Sequence, residues 1–145
     1  YRMNDVQASL GLSQLQKIDK FLIKRNAIAA LYKKNLKDLP IRFQKIDKNN
    51  YSSYHLFTIN FLEKNHIKNK FKLIKKLRNN KINVGVHYIP IHLHPYYCKK
   101  GFKNNMFPVS ENHFKSTISL PIYYDLNVGQ INYISDLLVH LLKKV

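Results

Sequence analysis

A chain of 145 residues with 45% hydrophobic content is long enough for one domain with an ordinary core, and its formal charge of +17 comes from 21 lysines and only four arginines against eight acids. Such an excess attracts phosphate, yet a dedicated nucleic-acid reader would use more arginine for bidentate contacts, and the abundance of Lys, Asn, Ile and Tyr fits the drift of an AT-rich genome. No run approaches the ~18 apolar residues of a membrane span, no signal peptide is visible, and a lone Cys98 can form no intrachain disulfide, so a cytoplasmic, reducing compartment is expected.

The chain opens at Tyr1 rather than Met, inside what reads as a helix entry, which points to a piece of a longer protein. Asn4 and Gln7 stand as an N-cap and its N3 partner. Behind them Val6, Leu10, Leu15, Ile18, Leu22, Ala29, Tyr32 and Leu36 recur mostly at steps of three, four or seven, which predicts one long helix to about Asn35, bent near Gly11. In "YHLFTINF" His55, Phe57, Ile59 and Phe61 alternate, as on a strand. Ile67, Phe71, Ile74 and Leu77 return to helical spacing with lysines opposite, and "INVGVHY" alternates again with Ile82, Val84 and Val86 inward. Strand, helix and strand together read as a βαβ-like unit. A Pro-, Lys- and Gly-containing loop follows from Ile89 to about Val109, then a helical turn near Glu111 to Lys115. "STISLPIYYDL" predicts a strand interrupted by Pro121, and Asn127 with Gln130 caps a terminal helix carrying Ile131, Ile134, Leu138 and Leu141. The whole is expected to be a small α/β (α+β) layer.

The densest chemistry lies in "VHYIPIHLHPYY", Val86 to Tyr97. A zinc site would need three or four ligands converging at about 2.0 to 2.3 Å, and His87, His92 and His94 are the candidates; no cysteine pair supports them, and no metal is expected. Cys98, without an evident partner base, reads as an inert thiol. Gly11, Gly85, Gly101 and Gly129 are scattered, so no phosphate loop forms. Two readings of the stretch remain open: a clamp for a polar, anionic ligand built from Tyr hydroxyls and His nitrogens on a proline-stiffened frame, or a rigid loop packing its aromatics on its own sheet.

The segment "YRMNDVQASLGLSQLQKIDKFLIKR", with "VGVHYIPIHLHPYY" and "SLPIYYDL" following in order, closely resembles the C-terminal part of the DegT/DnrJ/EryC1/StrS sugar aminotransferases. The resemblance covers essentially the whole chain. It implies the small C-terminal domain of the fold-type I, aspartate aminotransferase-like fold, occupying residues 1–145. It further implies pyridoxal 5'-phosphate as cofactor, a nucleotide sugar as substrate, and a homodimer with active sites between subunits. The form of the loop looks most like that of members aminating a 4-keto UDP-sugar, with glutamate as donor, on the way to pseudaminic acid. By motif position His87 and Tyr88 would contact sugar or phosphate, with His94 and Tyr96 in the same substrate-binding loop. Arg2 would lie in the segment that approaches the neighbouring subunit's cofactor. None of the 21 lysines sits in the family's Schiff-base motif, so no residue here is expected to be catalytic. The rival is a basic nucleic-acid-binding domain, which would gather its lysines into one stripe.

Overall fold

The computed structural model describes residues 2–144. Its centre is a three-stranded antiparallel sheet in the order β1 (Ile41–Phe43), β2 (Phe57–Phe61), β3 (Thr117–Leu120). β2 is the middle strand because Phe57, Ile59 and Phe61 alternate into the core; Ile41 faces Phe61 on one side and Leu120 faces Phe57 on the other. Beyond β3, Gly85 pairs with Ser119 through two main-chain hydrogen bonds of 3.0 and 2.9 Å. Since β2 and the Gly85 segment both run antiparallel to β3, they run parallel to each other. The expected strand–helix–strand unit is therefore split, with β3 inserted between its halves. Residues 82–88 do not make the full strand predicted: Ile82 and Val84 are buried as expected, but pairing is confined to the one bridge.

Helices cover this sheet. α2 (Ile18–Asn35) packs beside α7 (Val128–Lys143), and Asn35 on α2 donates to Asn132 of α7 at 2.9 Å. Tyr32 stacks on Phe57 of β2, and its hydroxyl donates to the Pro121 carbonyl at 3.0 Å. α7 starts at the expected capping box of Asn127 and Gln130 and buries Ile131, Ile134, Leu138 and Leu141.

Several further expectations are corrected. The first helix is two: α1 (Asp5–Leu15) and α2 are separated at Gln16 and Lys17, where the amide of Gln16 reaches both Gln14 and Leu12 carbonyls and the turn tightens. Gly11 stays helical. α1 buries no residue, so Val6, Leu10 and Leu15 are not core; of the apolar set only Ala29, Tyr32 and Leu36 are fully buried. The second correction concerns α3 (Lys64–Lys68) and α4 (Lys70–Asn79). They meet at Asn69, which breaks the helical phase, so Phe71 turns outward at 64% exposure and Lys70 turns inward. Third, the stretch after Ile89 is ordered into a 3-10 turn (Ile91–Leu93) and helices α5 (Pro95–Lys99) and α6 (Pro108–Ser116). His55, expected on the strand, is exposed at a bend before it, and β3 ends at Leu120, one residue short of Pro121.

Candidate functional site

The stretch from Val86 to Tyr97 is held at both ends. At its start, the imidazole of His87 lies against Gly85, where a Cβ would overlap its Cε1, and shares a hydrogen bond of 2.8 Å between Nδ1 and the buried Ser119 Oγ. Only glycine admits the ring so close to the backbone. The His87–Tyr88 peptide bond is cis, and the Tyr88 ring stands edge-on to His87 at 4.7 Å. Further along, Pro90 is buried, and Pro95 opens α5 at a position where its missing N–H costs nothing.

The far end is organised by Glu111 on α6, whose carboxylate is buried. It accepts from the amides of Asn105 at 3.0 Å and Phe107 at 3.3 Å and meets His92 Nε2 at 3.0 Å. Burial pushes this carboxyl's pKa up, but the Asn105, His92 and Phe107 hydrogen bonds outweigh it and hold the group below the ordinary carboxylate range. Glu111 thus ties α6, the 105–107 segment and the 3-10 turn together. The sequence pattern that marks it is an acid in the first turn of a helix that opens with proline.

Four residues were expected to bind substrate, and the structure brings two of them to one place. Tyr88 and His94 line a cavity of about 360 Å³ together with Phe71, Val86, Ile89 and Phe114. Tyr88 is 75% exposed, and His94 Nε2 lies 3.3 Å from the Ile89 carbonyl. His87 does not itself line this cavity; its Nδ1 faces Ser119, and its chain neighbours Val86 and Tyr88 are both lining residues. Tyr96 is exposed on α5, edge-on to Tyr97, with Lys100 Nζ 5.1 Å from its ring. Arg2 lies exposed ahead of α1. The rings of His87, His92 and His94 engage Ser119, Glu111 and Ile89 respectively and do not converge; among the described residues no three His, Cys, Asp or Glu side chains are grouped to hold a metal.

Behind the cavity lies Lys70, buried without a carboxylate partner. Its ammonium donates to the carbonyls of Phe114 and Thr117 and sits 4.5 and 5.1 Å from the rings of Phe114 and Phe71, both of which line the cavity. Burial lowers its pKa. It is the one fully buried lysine among the described residues, and its Nζ is occupied by main-chain carbonyls. No acid faces the cavity to pair with a pyridine nitrogen, and both capping boxes spend their side chains on their own helices. The described residues that line this cavity therefore do not by themselves form a pocket for pyridoxal phosphate. The exposed lysines are spread over α2 to α7, not gathered on one element.

Residues 1–139 match the model of the DegT/DnrJ/EryC1/StrS aminotransferase family, and the chain belongs to that family. It is 33% identical over 137 residues to a spore coat polysaccharide biosynthesis protein of Bacillus subtilis, covering 91% of this chain and 35% of that one. It is 33% identical over 147 residues to the UDP-4-amino-4,6-dideoxy-N-acetyl-beta-L-altrosamine transaminase of Campylobacter jejuni, covering all of this chain and 38% of that protein. Among solved structures, a sugar aminotransferase of Streptococcus pneumoniae superposes with a TM-score of 0.91 at 27% identity over 99% of this chain and 36% of its own; it is also known in pyridoxal phosphate and pyridoxamine phosphate forms. An aminotransferase of Helicobacter pylori involved in pseudoaminic acid biosynthesis gives 0.84 at 27% identity, over all of this chain and 39% of its own. The α/β domain is thus that of the sugar aminotransferases, and the chain spans little more than a third of the relatives it matches. The comparisons lend the nucleic-acid reading no support.

Proposed function

We propose that this chain is the C-terminal domain of a nucleotide-sugar aminotransferase and that the Val86–Tyr97 stretch holds the sugar nucleotide. The complete, homodimeric enzyme would use pyridoxal 5'-phosphate to move an amino group from glutamate to the 4-keto carbon of a UDP-sugar, as in pseudaminic-acid-type biosynthesis. The cofactor supplies the electron sink; its lysine belongs to a part of the protein outside these residues. The observation that carries the reading is the convergence of Tyr88 and His94 on one aromatic-walled cavity beside the Gly85–Ser119 bridge. An open cavity with apolar walls and few polar groups suits a sugar or base face with hydroxyls at its rim. What favours a UDP-linked substrate is the similarity, over the whole chain, to the C. jejuni transaminase.

The test uses the full-length enzyme. Tyr88→Phe keeps the ring and removes the hydroxyl; loss of a polar substrate contact should lower kcat/KM for the UDP-4-keto sugar by roughly 1 to 3 kcal/mol with an unchanged melting temperature and cofactor spectrum. Unchanged kinetics would remove the Tyr88 hydroxyl from the site. A preference for a GDP- or dTDP-linked 4-keto sugar would refute the UDP assignment and keep the class.

A further inference from the structure

We infer that Ser119 is a positioning residue that fixes the proton of His87 on Nε2, so that this imidazole presents an N–H donor to an acceptor oxygen of the nucleotide sugar. The substrate half of this inference rests on the function proposed above; the Ser119 half stands on geometry alone. Ser119 is buried, and its hydroxyl has one contact among the described residues, Nδ1 of His87 at 2.8 Å. A hydroxyl carries one hydrogen that needs an acceptor, and a neutral imidazole carries one N–H. If that N–H were on Nδ1, it would donate to the Ser119 oxygen and the buried serine hydrogen would be left without an acceptor, a loss that folded proteins avoid. The arrangement that satisfies both groups has Ser119 Oγ–H donating to a bare Nδ1, which leaves the His87 hydrogen on Nε2.

Nε2 makes no hydrogen bond within the described residues, and His87 is only partly buried, so this donor is available. The ring cannot easily turn to lose it. Gly85 leaves no space beyond the ring's own edge, Tyr88 stands edge-on against it, and Gly85 and Ser119 are themselves fixed in register by their paired main-chain hydrogen bonds. The sheet bridge thus carries both halves of the cradle. An N–H attracts a phosphate or carbonyl oxygen, whereas the opposite tautomer would offer such an oxygen a lone pair and repel it.

The test is made on the full-length protein with isotope-labelled histidine, the His87 signals being assigned by their loss in His87→Gln. The nitrogen spectrum near neutral pH should show Nδ1 unprotonated and Nε2 protonated, and Ser119→Ala should populate the other tautomer. A proton on Nδ1 in the unaltered protein overturns the proposal, whatever the protein's activity. In kinetics, Ser119→Ala should lower kcat/KM for the UDP-4-keto sugar by about tenfold, the weight of one hydrogen bond. Gln at position 87 brings its own amide donor and needs no serine to orient it. Ser119→Ala made on the His87→Gln background should therefore cost nothing further. An equal loss on both backgrounds, or an equal drop in melting temperature that accounts for it, shows that Ser119 acts through packing and refutes the positioning role. Absence of transamination with any nucleotide sugar overturns the substrate half and the proposed function together, and the spectrum then decides the Ser119 half by itself.

Discussion

Helices α1 and α7 begin with the same device and end with opposite fates. Each opens on an Asn-x-x-Gln capping box in which the asparagine side chain takes the N3 amide at 2.9 Å and the glutamine side chain takes the cap amide, at 3.2 Å in α1 and 3.1 Å in α7. Yet α7 buries Ile131, Ile134, Leu138 and Leu141 in the common core, beside α2 and α4, while α1 buries nothing and leaves Val6 79% exposed. The local code fixes where a helix starts; what the helix is worth is decided by what lies opposite it. The largest test of this is a pair of truncations. Leu138→Ala in α7 should destabilise the domain by roughly 2 to 5 kcal/mol, the cost of a buried cavity, and Leu10→Ala in α1 by less than about 0.5 kcal/mol, both read by denaturant titration. A large cost at Leu10 would break the contrast by showing α1 packed in solution.

The same contrast separates what was legible in the sequence from what was not. Both capping boxes, β2 and the α7 stripe were readable because each depends on a few neighbouring residues and a regular period. The phase of α4 was not: a continuous period places Phe71 inward, but the interruption at Asn69 rotates the helix and puts Lys70 there, where main-chain carbonyls of α6 and β3 receive its ammonium. Those partners lie more than forty residues away and leave no periodic trace. The candidate site divides similarly. Tyr88 and His94 stood out as a cluster of residue types, and the cavity unites them. Ser119 and Glu111, which anchor His87 and His92, were harder to find: a serine in a strand carries no signal until the fold supplies its partner, and the first-turn position of Glu111 marks a helix start without naming His92.

A pair of acids extends the comparison from apolar to charged groups. Asp5 and Glu111 both occupy the first turn of a helix, but Asp5 is exposed, whereas Glu111 is buried among donors that lower its pKa. For a depressed carboxyl the stabilisation is complete above the ordinary value of about 4.5 and is lost as pH falls through the lower folded value. The melting temperature should therefore fall more steeply for the unaltered domain than for Glu111→Gln as pH drops from 5 towards ~3. At pH 7 Glu111→Gln should melt clearly lower than the parent. At pH 7 Asp5→Asn should change stability by no more than the few tenths of a kcal/mol of an exposed helix-dipole contact. Parallel pH curves for Glu111→Gln and the parent would show that the ionised form of Glu111 carries no weight.

The smallest effect is the most direct probe of the shared device. Replacing an N-cap asparagine by alanine costs about 1 kcal/mol where the helix it starts is coupled to the core. Asn127→Ala should show this in full, because fraying the first turn of α7 loosens Ile131 and, behind it, Ile134. Asn4→Ala removes the equivalent hydrogen bond to the N3 amide but uncouples nothing buried. Its signature should be a loss of helical circular dichroism from α1 alone, with the denaturation midpoint unmoved. Equal shifts of the midpoint for the two variants would mean that α1 communicates with the core through Gln16 and Lys17 despite its exposed faces. An unmoved midpoint for both would mean that α7 is held by its buried stripe so firmly that its cap is dispensable, which places the weight of the comparison on burial alone.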